Sequence, residues 1–394
     1  MSSPHNKNID VGCFVALGDS ITSGYADGAL YYSGQQNSFV NIMARQYKLI
    51  GGGNFKQPLV AENSVGTNAD GKSRLVLHQF KNSGRKHYLE LSYLASAGDA
   101  EIFSSNNYNS YGPFNNMGVP GAKIISLVKS GYGNKNNGEG NYNPFFTRMA
   151  SNPDKPSILD DACVMNPTFF SLYIGNNDAL AYALSGGLSD EITPLTGAVG
   201  IGFESSLDFI LQELTKRNAK GVIGNIPDIT SIPYFTTLPY NGLLKQTLNS
   251  ARPMENGELI LSDILLEPDR DDYLSGKLPI PKKYYLTIEE ISKIQNAITA
   301  YNHVIKLAAH KFGLAFVDVN SMMKNSKTER FYNEKSHHLS YKKRGIFSLD
   351  GLHPNPFGQA LLANEFIKAI NLRYGCAISL VDSKKYVGNA FPEK

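Results

Sequence analysis

The sequence predicts an α/β fold, a doubly wound parallel sheet carrying long loop insertions. Three observations lead there. Five short apolar runs alternate with helix-like stretches, the pattern of β-α-β units. The longest helical stretch, Ile288–Phe312, places apolar residues at three- and four-residue steps, which gives it an inward face. The chain has 394 residues, far more than these elements need, and the excess gathers in four weakly periodic segments.

The first apolar run, Cys13–Leu17, reads as a buried strand that Gly18-Asp19-Ser20 ends abruptly. Ser38–Leu49 follows as a helix, then a brief strand ending near Phe114 and a short helix over Ala122–Lys129. Thr168–Ile174 is a third strand that stops at Gly175-Asn176-Asn177-Asp178. Phe203–Arg217 is helical, and Gly221–Asn225 and Ala315–Val319 supply the last two strands. Between those strands, Ile291, Ile294, Ile298, Tyr301, Ile305 and Ala308 mark one face of a long helix over Ile288–Phe312. Gly358–Tyr374 is the closing helix. The excess lies near 51–112, 131–166, 227–285 and 320–348, rich in Gly, Asn, Ser, Pro and Tyr. With no internal repeat and no clean linker, residues 1–394 are expected to form a single domain.

The bulk properties exclude several classes. A composition 42% hydrophobic and 19% charged is that of a globular protein, and a net charge of +3 is too small for a nucleic-acid-binding face. Lys342-Lys343-Arg344 is the one dense basic run, read as a solvated loop. Cys13, Cys163 and Cys376 are too few and too scattered for a zinc site or a disulfide framework, and Cys13 reads as a small buried residue. No run of 18 apolar residues exists, so no transmembrane segment is expected. The first residues lack an apolar signal core, which suits either a cytoplasmic protein or an exported, cell-envelope one whose leader has been removed. Nothing in the sequence sets the oligomeric state.

Four segments carry chemistry. Ser20 stands at the tip of the first strand, where an open α/β sheet places its ligand crevice. Asn116-Met117-Gly118-Val119-Pro120-Gly121 offers a glycine amide in a tight loop. Asn177 follows the third strand with a side-chain amide, and Asp350-Gly351-Leu352-His353 precedes the last helix. A serine, two amide donors and an Asp-x-x-His pair are the parts of acyl transfer: nucleophile, oxyanion donors, base and orienter. Each has a plainer reading: a capping serine, a turn glycine, a helix cap at Asn177-Asp178, and a helix start with Pro354 near its first turn.

Taken together, the segments resemble the GDSL esterases and lipases of the SGNH hydrolase superfamily. That family is marked by four blocks holding Ser, Gly, Asn and His in order, matched here by Ser20, Gly118, Asn177 and His353, with Asp350 three residues before the histidine. Two positions depart from the pattern: Ile21 stands where Leu is usual, and Asn176 where a second Gly is common. The resemblance implies a flavodoxin-like sheet and a metal-independent serine esterase that works without a cofactor through an acyl-enzyme. Ser20 would attack, His353 would move the proton and Asp350 would orient His353, with Ser20, Gly118 and Asn177 forming the oxyanion hole. The expected substrate is a carboxylic ester, whether short-chain, lipid or acetylated glycan. An acyltransferase using the same site, and a non-catalytic glycan- or surface-binding module, are the alternatives.

Other features carry less. Gly51-Gly52-Gly53 lacks the Lys-Ser/Thr of a phosphate loop, and His303 and His310 have no accompanying ligand set for a metal. His337-His338 sits in a polar insertion, and Tyr284-Tyr285 reads as core edge or as the lining of an acyl or sugar site. No Gly-x-Ser-x-Gly elbow occurs, which separates this chain from the α/β-hydrolase fold.

Overall fold

Strands β1 (Phe14–Gly18), β2 (Asn116–Gly118), β3 (Phe169–Tyr173), β4 (Lys220–Gly224) and β5 (Ala315–Val317) form one sheet in the computed structural model. The structure describes residues 8–81, 87–104, 106–138, 140–188, 192–324, 330–333, 338–341 and 345–389. All neighbouring strands run parallel, in the order β5-β4-β3-β1-β2. This is the flavodoxin-like order, with its switch point between β1 and β3. The expected doubly wound sheet is present.

Six helices organise the rest: α1 (Ser20–Ser23), α2 (Phe39–Lys48), α3 (Asn177–Leu184), α4 (Phe203–Thr215), α5 (Ile288–Lys311) and α6 (Pro356–Tyr374). β1 is an apolar run and β3 is apolar but for Ser171, and every residue of both is buried because both of their faces are covered. Val15 and Leu17 point into a layer built with α4 and α5, while Phe14 and Ala16 point into the layer of α2 and α6. Thr287 and Glu290 close a capping box at the start of α5, each side chain accepting from the other's backbone N–H at 3.3 and 2.8 Å. Beyond it Ile294, Ile298, Tyr301, Ile305 and Ala308 are buried, as their spacing requires.

Three expectations shift. β2 begins at Asn116 rather than ending near Phe114, and Asn115 bridges the offset by donating its side-chain amide to the Phe14 carbonyl at 2.8 Å. The strand has three residues and starts with asparagine, too short and too polar to be seen as an apolar run. The helix expected over Ala122–Lys129 is a single 3₁₀ stretch, Ile124–Val128. Three insertions are more ordered than their composition suggests. Antiparallel pairs join Leu75–Lys81 to His87–Tyr93, Leu244–Gln246 to Ala251–Pro253, Leu259–Ile260 to Tyr285–Leu286, and Arg330–Asn333 to His338–Tyr341.

Cys13 precedes β1 and is only partly buried, and all three cysteines are free. His303 and His310 are exposed on α5. The basic run 342–344 and the side chains of His337 and His338 lie outside the described residues. Among the described residues no helix is long and apolar enough to cross a membrane.

Gly18 ends β1 where the chain packs tightly. A Cβ there would overlap the Thr22 side chain and the Tyr173 carbonyl oxygen of β3. Gly18→Ala should therefore cost about 1–3 kcal/mol, the usual range for overpacking, read as a lower melting temperature by circular dichroism. An unchanged melt would show that β1 and β3 can separate there freely.

Candidate active site

The nucleophile turn is built from local rules. Asp19 caps α1, its Oδ1 accepting from Ile21 N at 3.0 Å, and Gly24 at φ +81° stops the helix after one turn. Ser20 is thus held at the start of α1, 8% exposed, directly beyond the tip of β1. Asp19 Oδ2 accepts from Asn176 Nδ2 at 2.8 Å, so the residue that replaces the usual glycine ties the turn after β1 to the turn after β3. Burial pushes the Asp19 carboxyl up to about 6, against the lowering effect of these two donors.

Asp350 and His353 lie on one compact loop leading into α6. The Ser348 N–H donates to the His353 carbonyl at 2.7 Å, Gly351 sits at φ +74°, and Asn355 caps α6 by accepting from Gly358 N at 2.9 Å. His353 Nδ1 lies 2.9 Å from Asp350 Oδ2, and its Nε2 lies 2.9 Å from Ser20 Oγ. Asp350 Oδ1 accepts from Leu352 N at 2.8 Å and from His353 N and Ser348 Oγ at 2.9 Å. Gly28 N donates to Oδ2 at 2.8 Å. Burial works to raise the Asp350 carboxyl, but the neighbouring His353 charge and these donors outweigh it and hold the group below the usual carboxylate range. An ionised Asp350 keeps the proton on Nδ1 and leaves the Nε2 lone pair toward Ser20.

The third block divides its labour. Asn177 opens α3, donates Nδ2 to the Ala122 carbonyl at 3.0 Å, and lines the cavity in front of Ser20. Asp178 Oδ2 accepts from Ile124 N at 2.8 Å, bracing the loop that follows β2. Burial pushes the Asp178 carboxyl up to about 7.

Gly118 is not among the residues that line the cavity in front of Ser20. Its N–H donates to Asn116 Oδ1 at 3.0 Å, and a Cβ there would collide with the Thr22–Ser23 backbone. Gly118 serves close packing, and it is Gly121, at φ +79°, that lines the cavity beside Ser20. Only the three-residue spacing between the two glycines separates them in sequence. Tyr25 was also missed: its ring packs on His353 at 4.8 Å between centroids, and its hydroxyl donates to the Gly28 carbonyl at 2.6 Å. Nothing in the sequence around Tyr25 signals this role.

Ser20, Asn177 and His353 open onto a cavity of about 890 Å³. The insertion 51–112 contributes Asp70, Leu75 and Tyr93 to its wall, and the insertion 227–285 contributes Tyr234, Glu267 and Tyr284. Of the tyrosine pair, Tyr284 faces the cavity and Tyr285 is buried in a short strand.

The family model of GDSL-like lipases and acylhydrolases matches residues 14–366. No curated protein sequence matches the chain. Among solved structures it is similar to a variant of an acetyl xylan esterase from Geobacillus stearothermophilus, 13% identical, covering 94% of this chain and 100% of that one with a TM-score of 0.39. It is similar also to an extracellular lipase from Streptomyces rimosus, 14% identical over 91% and 98% of the two chains, TM-score 0.37. A family 3 carbohydrate esterase from Clostridium thermocellum is 13% identical over 92% and 96%, TM-score 0.37. These similarities are too distant to bear on the substrate.

Proposed function

The chain belongs to the GDSL-like lipase/acylhydrolase family and is a carboxylic ester hydrolase, and from that premise we propose that Ser20 is its nucleophile. The observation that carries this reading is the line Asp350–His353–Ser20, two hydrogen bonds of 2.9 Å ending at the floor of the cavity. Ser20 Oγ attacks the ester carbonyl carbon while His353 Nε2 takes its proton. The tetrahedral adduct collapses, the alcohol leaves with that proton, and an acyl-enzyme remains on Ser20. Water then repeats the sequence and frees the acid. Asp350 stays ionised throughout, supporting the imidazolium formed twice in the cycle.

Ser20 N–H, Asn177 Nδ2 and, in place of Gly118, the Gly121 N–H are the oxyanion donors in this reading. Its support is that the Gly118 donor is already committed to Asn116, whereas Gly121 and Asn177 share the cavity with Ser20. The two wall-forming insertions supply the contacts to the remainder of the ester, and so its selectivity.

Three measurements test the reading. Ser20→Ala and His353→Ala should each bring ester turnover close to background, with the double variant little worse than either, because residues sharing one step lose their effect together. Additive losses in that cycle would separate them. Asn177→Ala should lower kcat by about 10²–10³ with a far smaller change in KM, the size of one lost oxyanion donor. A change confined to KM would make Asn177 a ground-state contact. Tyr284→Ala should alter the ranking among p-nitrophenyl esters of different chain length and acetylated sugars, while hydrolysis of p-nitrophenyl acetate persists. An unaltered ranking would remove Tyr284's wall from substrate recognition.

A further inference from the structure

Seven residues beyond Ser20 the chain makes a tight hairpin turn whose function the triad does not explain. Ala26 and Ala29 exchange backbone hydrogen bonds at 3.2 and 3.0 Å around Asp27-Gly28, and both central residues have positive φ, +51° and +72°. This is the two-residue turn that an Asp-Gly pair favours. Its tip is driven into the loop that carries Asp350. Asp27 N donates to Ser348 Oγ at 2.9 Å, and Ser348 Oγ donates on to Asp350 Oδ1 at 2.9 Å. Gly28 N donates directly to Asp350 Oδ2, the same oxygen that His353 Nδ1 approaches. The Asp27 carboxylate completes the clamp. Its Oδ1 accepts from Leu349 N at 2.9 Å and its Oδ2 from Tyr31 Oη at 2.6 Å.

We propose that Asp27 is a positioning residue whose ionised carboxylate locks the Asp27-Gly28 turn onto the Asp350 loop and thereby fixes the orientation in which Asp350 presents His353 to Ser20. The inference rests on the triad reading above and adds to it a second carboxylate, behind the first, that touches no substrate. The same turn reaches the cavity wall. The Asp27 carbonyl accepts from Leu75 N at 2.7 Å at the base of the hairpin from the 51–112 insertion, and the Arg74 guanidinium lies 5.0 Å from the Tyr31 ring centroid.

The charge state of Asp27 matters to the clamp. Burial pushes its carboxyl up to about 6; the Tyr31 and Leu349 donors and Arg74 pull it down, and the Asp350 charge pushes it further up. Arg45, Asp382, Lys385 and Tyr386 face it across a second cavity behind the turn. As pH falls through about 6, Asp27 takes up a proton and loses acceptor capacity toward Leu349 and Tyr31. Loss of activity on the acid side then involves this proton.

Three variants on p-nitrophenyl acetate test this. Asp27→Gly keeps the turn, since glycine accepts positive φ without strain, and removes the carboxylate. It should lower kcat by roughly 10- to 100-fold with KM within about twofold, the scale of a misplaced catalytic group. Asp27→Asn retains an oxygen for Leu349 N but carries no charge, so its kcat should lie between those of Asp27→Gly and the parent, and its acid limb should no longer show the Asp27 proton. Tyr31→Phe removes a donor to the carboxylate and should move that limb to higher pH. Circular dichroism melts confirm that each variant is folded at the assay temperature. Parent-like kcat and acid limb in folded Asp27→Gly would overturn the proposal, as would an Asp27→Asn variant that keeps the parent's kcat and acid limb. Fluorophosphonate labelling of Ser20 in the parent, lost in Ser20→Ala, keeps the two readings apart. If labelling fails, the triad assignment falls; if labelling stands while the Asp27 variants behave as the parent, only the clamp falls.

Discussion

A carboxylate removed from water needs hydrogen-bond donors, and the environment of Asp350 is organised around that need. Three backbone N–H groups, the Ser348 hydroxyl and the His353 ring converge on its two oxygens. These donors come from two distant parts of the chain: the loop entering α6 and the hairpin turn just beyond Ser20. Satisfying one buried charge therefore brings the histidine's loop and the serine's segment to the same place. The Ser20–His353 contact follows from this arrangement.

The sheet supplies the frame for that convergence. β1 and β3 are neighbours at the switch point of a 2-1-3-4-5 order, so the turns that follow them open side by side. Asp19 and Asn176 join those two turns by one buried hydrogen bond. The position of Asn177 relative to Ser20 is thereby set by a contact one residue behind each. Close packing at Gly18 and Gly118, where neither position has room for a Cβ, holds the tips of β1 and β2 against α1.

What the sequence disclosed follows from the range of the interactions involved. β1, β3 and α5 were legible because continuous or periodic burial leaves a continuous or periodic pattern. The grouping of Asp350 with His353 was legible because their contact is local, three residues apart. β2 was misplaced because it is three residues long and its ends are satisfied by asparagine side chains. The choice between Gly118 and Gly121 was not legible, because it depends on which N–H Asn116 claims in three dimensions. Tyr25 and Asp27 were invisible for the same reason: their partners lie more than 300 residues away or across a turn. Three of the four strand pairs inside the insertions escaped notice because their strands are only two to four residues long. The fourth pair, Leu75–Lys81 with His87–Tyr93, gives the cavity wall Leu75, Leu91 and Tyr93.

The contact between His353 and Ser20 spans 333 positions of the chain. β1 can pair with β2 and β3 long before the last helix exists, so a growing polypeptide acquires its serine turn early and its histidine late. Until α6 docks and draws the preceding loop into place, Ser20 lacks its His353 contact and Asp350 lacks the donor of the hairpin turn. In the proposed mechanism a chain shortened before His353 therefore lacks the base that activates Ser20.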